Sequence, residues 1–186
     1  YFIAWTDARN AATSGLDIYG TLLTTGGSVG NPNGTLLSAG ASGERHPAVA
    51  ANGANYLVVW EDPRNLDASG LDLYGVRVST DGVPLDLIAL PISTAAGDQL
   101  APAATALGFS PNGTDYFVVW QDQRNTATTG ADIYGARIST GGSVLDAGGI
   151  PISRGADDQL APAIASSGAG YLAVWQDARN LANDGL

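Results

Sequence analysis

The segment Tyr56–Asn65, YLVVWEDPRN, decides the fold, because the same pattern returns along the chain. Related segments begin at Tyr1 (YFIAWTDARN), Tyr116 (YFVVWQDQRN) and Tyr171 (YLAVWQDARN). The tryptophans of the four copies are 55, 60 and 55 residues apart. The longer spacing is explained by one insertion within 107–115, which is typical of a surface turn. Such regular self-similarity indicates an array in which each unit forms the same supersecondary structure.

Each complete unit predicts four short strands. The first is rich in alanine, as in 102–105 (PAAT), and the second, YLVVW, is apolar throughout and therefore buried on both faces. A third strand follows at a Gly-x-Asp-(Ile/Leu)-Tyr-Gly motif, as in 132–139 (DIYGARIS). The fourth, near 150–153 (IPIS), contains a proline, which favours an edge position. The gradient from small to bulky residues is typical of a propeller blade.

The sequence therefore predicts an all-β protein, a β-propeller made of four-stranded antiparallel blades. The chain would form one partial propeller over residues 1–186, with about three blades and an incomplete one. The blade units fall at approximately 1–45, 46–100, 101–160 and 161–186. A solenoid of β-meanders is the main alternative.

The motif series VVWxDxRN…DIYGxR…PIS…DQLAPA resembles a tandem-repeat family of propellers found in secreted bacterial proteins. More loosely, it is similar to the TolB-like and Asp-box propellers. The resemblance covers essentially the whole chain, although the first unit departs from it: Leu22 replaces the arginine seen at Arg77, and 44–46 reads ERH instead of DQL. The resemblance implies a propeller fold and a secreted location, and it implies no shared catalytic activity.

The composition is acidic and contains few charges. The chain has 186 residues, a formal net charge of −10, 14% charged residues and 25 glycines. Nucleic acid and anionic membrane surfaces are therefore disfavoured as partners, and no apolar run is long enough to span a bilayer. Cysteine is absent, which excludes disulfides and thiolate metal sites. An acidic chain without lysine or cysteine favours a secreted or cell-surface location.

The Asp-x-Arg-Asn motif provides the candidate ligand-binding residues. An acid and a base at fixed spacing could grip a polar ligand such as a sugar. Repetition in every unit favours a structural role instead, in which the aspartate caps backbone N–H groups and the arginine stacks on an aromatic ring. The candidates are Asp62, Arg64, Asn65, Asp122, Arg124 and Asn125.

Calcium is the only cofactor that the sequence suggests. Asp72 and Asp132 follow loops with further oxygen ligands nearby, but no dense calcium-binding loop is present. The single histidine, His46, is interpreted as an ordinary loop residue. No catalytic motif is recognisable, and an enzyme is therefore the less favoured interpretation.

Three functions remain open from the sequence. The first is a non-catalytic extracellular propeller that binds a protein or glycan or serves as a structural module. The second is a lectin-like carbohydrate-binding module with one site per blade. The third is a fragment of a larger secreted hydrolase. About three blades do not close a ring, so we expect the ring to be completed by the rest of a longer chain or by another copy.

Overall fold

A computed structural model describes residues 1–40, 43–108 and 113–179. In these residues, 13 strands form four antiparallel sheets. The strands are β1 (Phe2–Asp7), β2 (Asp17–Leu22), β3 (Thr35–Ser38), β4 (Arg45–Ala51), β5 (Asn55–Asp62), β6 (Asp72–Ser79), β7 (Leu90–Ser93), β8 (Gln99–Ala106), β9 (Tyr116–Asp122), β10 (Asp132–Ile138), β11 (Ile150–Ser153), β12 (Gln159–Ser166) and β13 (Tyr171–Asp177). The same residues contain no helix long and apolar enough to cross a membrane.

Each sheet is a meander in which strands adjacent in sequence are paired. The second sheet has the order β4-β5-β6-β7, and the third has the corresponding order β8-β9-β10-β11. The first sheet contains β1-β2-β3, and the fourth contains β12-β13. The outermost strands β7 and β11 carry Pro91 and Pro151, as an edge position allows. The predicted order of four strands per blade is confirmed.

The tryptophan-bearing strands β5 and β9 of the second and third sheets are buried because a neighbouring sheet covers each of their faces. In β5, Val58 and Trp60 pack against the first sheet, whereas Leu57 and Val59 pack against the third. All four side chains are fully buried. A strand buried on both faces has no position for polar alternation, which explains its continuous apolar sequence.

Two hydrophobic cores result from this face-to-face stacking. One lies between the first two sheets, where Phe2 and Ile18 meet Trp60 and Tyr74 of the second sheet. The other lies between the second and third sheets and includes Trp120. The inner strands β4, β8 and β12 lie next to one another. Sheets stacked around adjacent inner strands have the arrangement of propeller blades.

The inner strands begin slightly before the unit boundaries drawn from the sequence. They start at Arg45, Gln99 and Gln159, because these first residues pair with the end of the middle strand before a β-bulge. Within each bulge one residue adopts a left-handed conformation: His46 (φ 53°), Ala101 (φ 49°) and Ala161 (φ 48°). Non-glycine residues seldom adopt this conformation, so the bulge is a strained feature that the second, third and fourth sheets share.

Candidate functional site

Asp62 organises the turn that follows β5. Its Oδ1 accepts hydrogen bonds from the backbone N–H of Arg64 at 3.0 Å and from Nε of Arg64 at 2.8 Å. Its Oδ2 accepts from Nη2 of Arg64 at 2.5 Å and from the indole Nε1 of Trp60 at 3.0 Å. Because both oxygens are engaged and the residue is buried, this carboxylate fixes the shape of the turn.

Arg64 and Asn65 connect the same turn to the next strand. The guanidinium carbon of Arg64 lies 3.8 Å from the centroid of the Tyr74 ring, in a cation–π contact. Nδ2 of Asn65 donates to Oδ2 of Asp72 at 2.7 Å and to the Tyr74 hydroxyl at 3.1 Å. The motif thus ties β5, its turn and β6 into one hydrogen-bonded unit.

The third sheet has the same network. Asp122 accepts from the Trp120 indole at 2.7 Å and from Nε of Arg124 at 2.7 Å. Arg124 stacks on Tyr134 with its guanidinium carbon 4.1 Å from the ring centroid, and Asn125 donates to that tyrosine's hydroxyl at 3.2 Å. The first sheet repeats these contacts with Trp5, Asp7, Arg9, Asn10, Asp17 and Tyr19. Ligand binding by the six candidate residues stays a prediction.

Hydrogen bonding controls the ionisation of the motif aspartates. Burial of Asp62 acts to raise its pKa, but the hydrogen bonds from Arg64 and Trp60 outweigh burial and hold the pKa below its usual value. In the exposed copy at the end of the chain, the hydrogen bonds from Arg179 lower the pKa of Asp177 to about 2. The next motif residue there, Asn180, lies outside the described residues.

The two calcium candidates lie in equivalent positions at the start of β6 and β10. Asp72 and Asp132 are fully buried, and one oxygen of each accepts from the motif asparagine. The other oxygen, Oδ1, has no hydrogen-bond partner in either residue. Over 1–40, 43–108 and 113–179, no three acidic or histidine side chains gather closely enough to hold a metal ion.

Asp98 connects neighbouring blades on the face where the Asp-x-Arg-Asn turns lie. Its Oδ1 accepts the backbone N–H of Leu71 in the second sheet at 2.8 Å, and its carbonyl accepts the N–H of Gln123 in the third at 2.9 Å. Asp158 makes the equivalent contacts between the third and fourth sheets. The Asp-x-Arg-Asn and Asp-Gln-Leu segments therefore lie on one face.

One charged cluster does not repeat. Glu61, near the end of β5, is 2% exposed, and its Oε2 accepts from Nε of Arg45 at 3.0 Å. Its Oε1 accepts the backbone N–H of Ala101 in the third sheet at 2.9 Å. Nδ1 of His46 lies 3.0 Å from the same Oε1. The cluster therefore lies at the inner strands of two adjacent blades, at the end where the Asp-x-Arg-Asn turns emerge.

Sequence analysis missed this cluster. His46 was interpreted as an ordinary loop residue, whereas it lies in strand β4, in the left-handed position of the bulge. The available signal was a triple departure from the repeat: when the units are aligned on Pro47 and Pro102, Arg45, His46 and Glu61 stand where the third unit has Leu100, Ala101 and Gln121. This register corrects by one residue the alignment of 44–46 with the Asp-Gln-Leu segment. Three linked departures around one buried carboxylate indicate a local role that the other blades do not share.

Two connecting segments form the walls of a cavity on the same face. A cavity of about 580 Å³ lies between residues 126–130 of the third sheet and residues 156–158 of the following connection. Residues 63–68 border a similar but smaller depression beside the second sheet. Residues 109–112 of the inserted segment lie outside the described residues.

No protein-family model matches the chain, and no curated protein is significantly similar to it. Among solved structures, the chain is similar to an α-L-arabinanase from Penicillium chrysogenum in complex with arabinobiose, with a TM-score of 0.55 and 14% identity over 88% of this chain and 45% of that one. It is also similar to an endo-arabinase from Bacteroides thetaiotaomicron, with a TM-score of 0.56 and 12% identity over 96% of this chain and 66% of that one.

These similarities establish the fold class. The chain is part of a β-propeller built from four-stranded antiparallel blades, as the sequence predicted. It spans between about half and two thirds of the length of the two arabinanases. Identity this low shows a shared fold, and it transfers no residue roles from those proteins to this one.

Proposed function

We propose that this chain is part of an extracellular, carbohydrate-binding β-propeller with its principal site at the inner strands. The observation that carries the proposal is the non-repeating cluster of Arg45, His46 and Glu61. Inner strands border the axial channel of a propeller, and residues at the channel mouth are accessible to a ligand there. The fold similarity to arabinanases, one of them solved with arabinobiose, supports a saccharide as the ligand.

A single principal site is favoured over one site per blade. The repeated Asp62 and Asp122 are buried and use both carboxylate oxygens within their own turns. The matching arginines are stacked on tyrosine rings. Groups already engaged in internal hydrogen bonds would have to break them to bind a sugar, which opposes a lectin-like site in each blade.

Calorimetry with a panel of oligosaccharides tests the proposal. We expect saturable binding of at least one oligosaccharide with a stoichiometry near one per chain. A stoichiometry equal to the number of Asp-x-Arg-Asn turns would support the lectin-like alternative instead. If no oligosaccharide on a broad glycan array binds, the carbohydrate proposal is wrong.

A secreted glycoside hydrolase is the second candidate, because both structural neighbours are named as arabinan-degrading enzymes. Such enzymes use two carboxylates in contrasting environments. Glu61 is engaged by Arg45 and Ala101, so the catalytic acids would belong to a longer polypeptide that includes this sequence. Release of reducing sugar from arabinan by the full-length protein would support this candidate, and lack of release from a panel of polysaccharides would oppose it.

The outer sheets present open faces that a further blade would cover. In β13, Leu172 and Val174 are 68% and 54% exposed, although they correspond to Leu57 and Val59, which are fully buried in β5. We propose that a blade of the same repeat type, from a longer chain or a second copy, covers this face. Light scattering of residues 1–186 separates the alternatives: a closed oligomer indicates copies, and a monomer indicates a longer chain.

A further inference from the structure

The arginine of the cluster formed by Arg45, His46 and Glu61 binds its carboxylate differently from the arginines of the Asp-x-Arg-Asn turns. Arg64, for example, binds Asp62 through both Nε and Nη2. Arg45 binds Glu61 through Nε alone, and within the described residues its Nη1 and Nη2 have no hydrogen-bond partner. The planar guanidinium therefore keeps one two-pronged donor edge available to an anion.

The three side chains differ in exposure: Glu61 is buried, whereas Arg45 and His46 are accessible to a ligand. The Glu61 side chain is 3% exposed, whereas those of Arg45 and His46 are 42% and 68% exposed. Glu61 accepts from Nε of Arg45 and lies beside Nδ1 of His46. These two contacts orient the Arg45 guanidinium and the His46 imidazole. Nε2 of His46 makes no hydrogen bond to a described residue, and the side chain as a whole is mostly exposed. Glu61 is thus a positioning residue for the exposed side chains of Arg45 and His46.

We propose that Arg45 and His46 bind the carboxylate group of an acidic saccharide. This inference rests on the proposed carbohydrate-binding function and names the class of sugar: one that contains a uronic acid. A carboxylate offers two oxygens that match the Nη1 and Nη2 edge of Arg45. Because Nδ1 of His46 faces the Glu61 carboxylate, Nε2 donates to the bound carboxylate when the imidazole is protonated and accepts from a neighbouring sugar hydroxyl when it is neutral. A neutral sugar has no group that uses this donor edge as fully.

The immediate surroundings are compatible with a bound anion. Glu61 is the acid closest to the two donors, and its charge is compensated by Arg45 and by the N–H of Ala101. The neighbouring Glu44 is fully buried, and its Oε1 accepts from Ser38. Burial raises the pKa of the Glu44 carboxyl and so moves it toward the neutral form, which weakens its repulsion of an anion.

The repeat suggests a variant that removes the cluster by replacing its residues with those found at the same positions of the third unit. Arg45→Leu, His46→Ala and Glu61→Gln together give the second sheet the residues of the third. Alanine suits the left-handed position, because Ala101 adopts the same conformation there. An unchanged urea midpoint for the triple variant, compared with the wild type, verifies folding before any binding measurement.

The experiment uses a uronic-acid disaccharide and its carboxyl-reduced, neutral counterpart as probes. Binding is followed by calorimetry and by the NMR signal of His46, which is the only histidine in the chain. We expect the acidic disaccharide to bind the wild type at least about tenfold more tightly than the neutral one. We also expect it to shift the His46 signal and to lose about tenfold or more in affinity in the triple variant.

The outcomes separate this inference from the proposed function. Equal binding of the acidic and neutral disaccharides, or equal binding of the acidic one by wild type and triple variant, would overturn the inference while leaving carbohydrate binding intact. Binding of neutral oligosaccharides alone would likewise overturn it. Absence of binding to every saccharide on a glycan array would refute the proposed function, and the inference with it.

Discussion

Replacing Asp62 with asparagine tests the structural role of the Asp-x-Arg-Asn motif. Asp62 is 1% exposed and accepts four hydrogen bonds, three from Arg64 and one from the buried indole of Trp60. In the variant, the amide oxygen can still accept from the backbone N–H and Nε of Arg64. The amide NH₂ instead faces Nε1 of Trp60 and Nη2 of Arg64, and all three groups are donors.

The expected loss of stability follows from these two broken hydrogen bonds. Leaving the buried Trp60 N–H without an acceptor lowers the free energy of unfolding by about 1–3 kcal/mol. The side chain of Arg64 is 34% exposed and can regain a hydrogen bond to water, so the loss of its second bond costs about 1 kcal/mol more. We therefore expect Asp62→Asn to lower the free energy of unfolding by about 2–4 kcal/mol.

Urea denaturation followed by far-ultraviolet circular dichroism measures this loss. Asp177→Asn is the matched control, because the motif is the same but the side chains of Asp177 and Arg179 are 23% and 55% exposed. Water replaces the lost partners there, so we expect a much smaller shift of the midpoint. A loss at Asp62 no larger than the loss at Asp177 would refute the structural role assigned to the buried motif.

Three further predictions address the same fold. Gly149→Ala should lower the urea midpoint, because φ is +73° and the added Cβ would lie 3.1 Å from a buried tryptophan ring, whereas Gly148→Ala, with no atom within 4 Å, should have little effect. Tyr116→Phe should lower the free energy of unfolding by about 1–2 kcal/mol, because it removes a buried hydrogen bond of 2.9 Å from the tyrosine hydroxyl to the Asn55 carbonyl of the preceding sheet. Tyr171→Phe, at the exposed end of the array, should lower it less in the same denaturation assay. The pKa of Asp62 is lower in the folded protein than in the unfolded chain. The stability that this carboxylate provides is therefore complete above its ordinary pKa near 4 and is lost as the pH falls below that value. The melting temperatures at pH 5 and pH 3 should consequently differ less in Asp62→Asn than in the wild type.

Repetition made the scaffold predictable from sequence. The apolar run around Trp60 and Trp120 predicted strands buried on both faces, and the prolines Pro91 and Pro151 predicted the outer strands. Because each local signal returned with the same spacing, errors in any one copy were corrected by the others. The spacing of residues within a blade is a short-range property, and sequence analysis captures it well.

The inner-strand cluster was not predictable in the same way. The contact between Glu61 and Ala101 joins residues 40 positions apart in different blades. The left-handed conformation of His46 comes from the bulge, since tertiary pairing forces it on whichever residue stands there. Neither feature has a local sequence signature, and only the coincidence of three departures from the repeat pointed to that position.

Hydrogen exchange of the four tryptophan indole N–H groups tests most directly whether the sheets stack face to face. Trp60 and Trp120 are fully buried between sheets, whereas Trp5 and Trp175 lie in the outer sheets and are partly exposed. Trp5 donates to Asp7 just as Trp60 donates to Asp62, so the difference between these two indoles is their burial. We expect two indole N–H signals that exchange slowly and two that exchange much faster. Four equally fast signals would contradict the stacked arrangement of the blades.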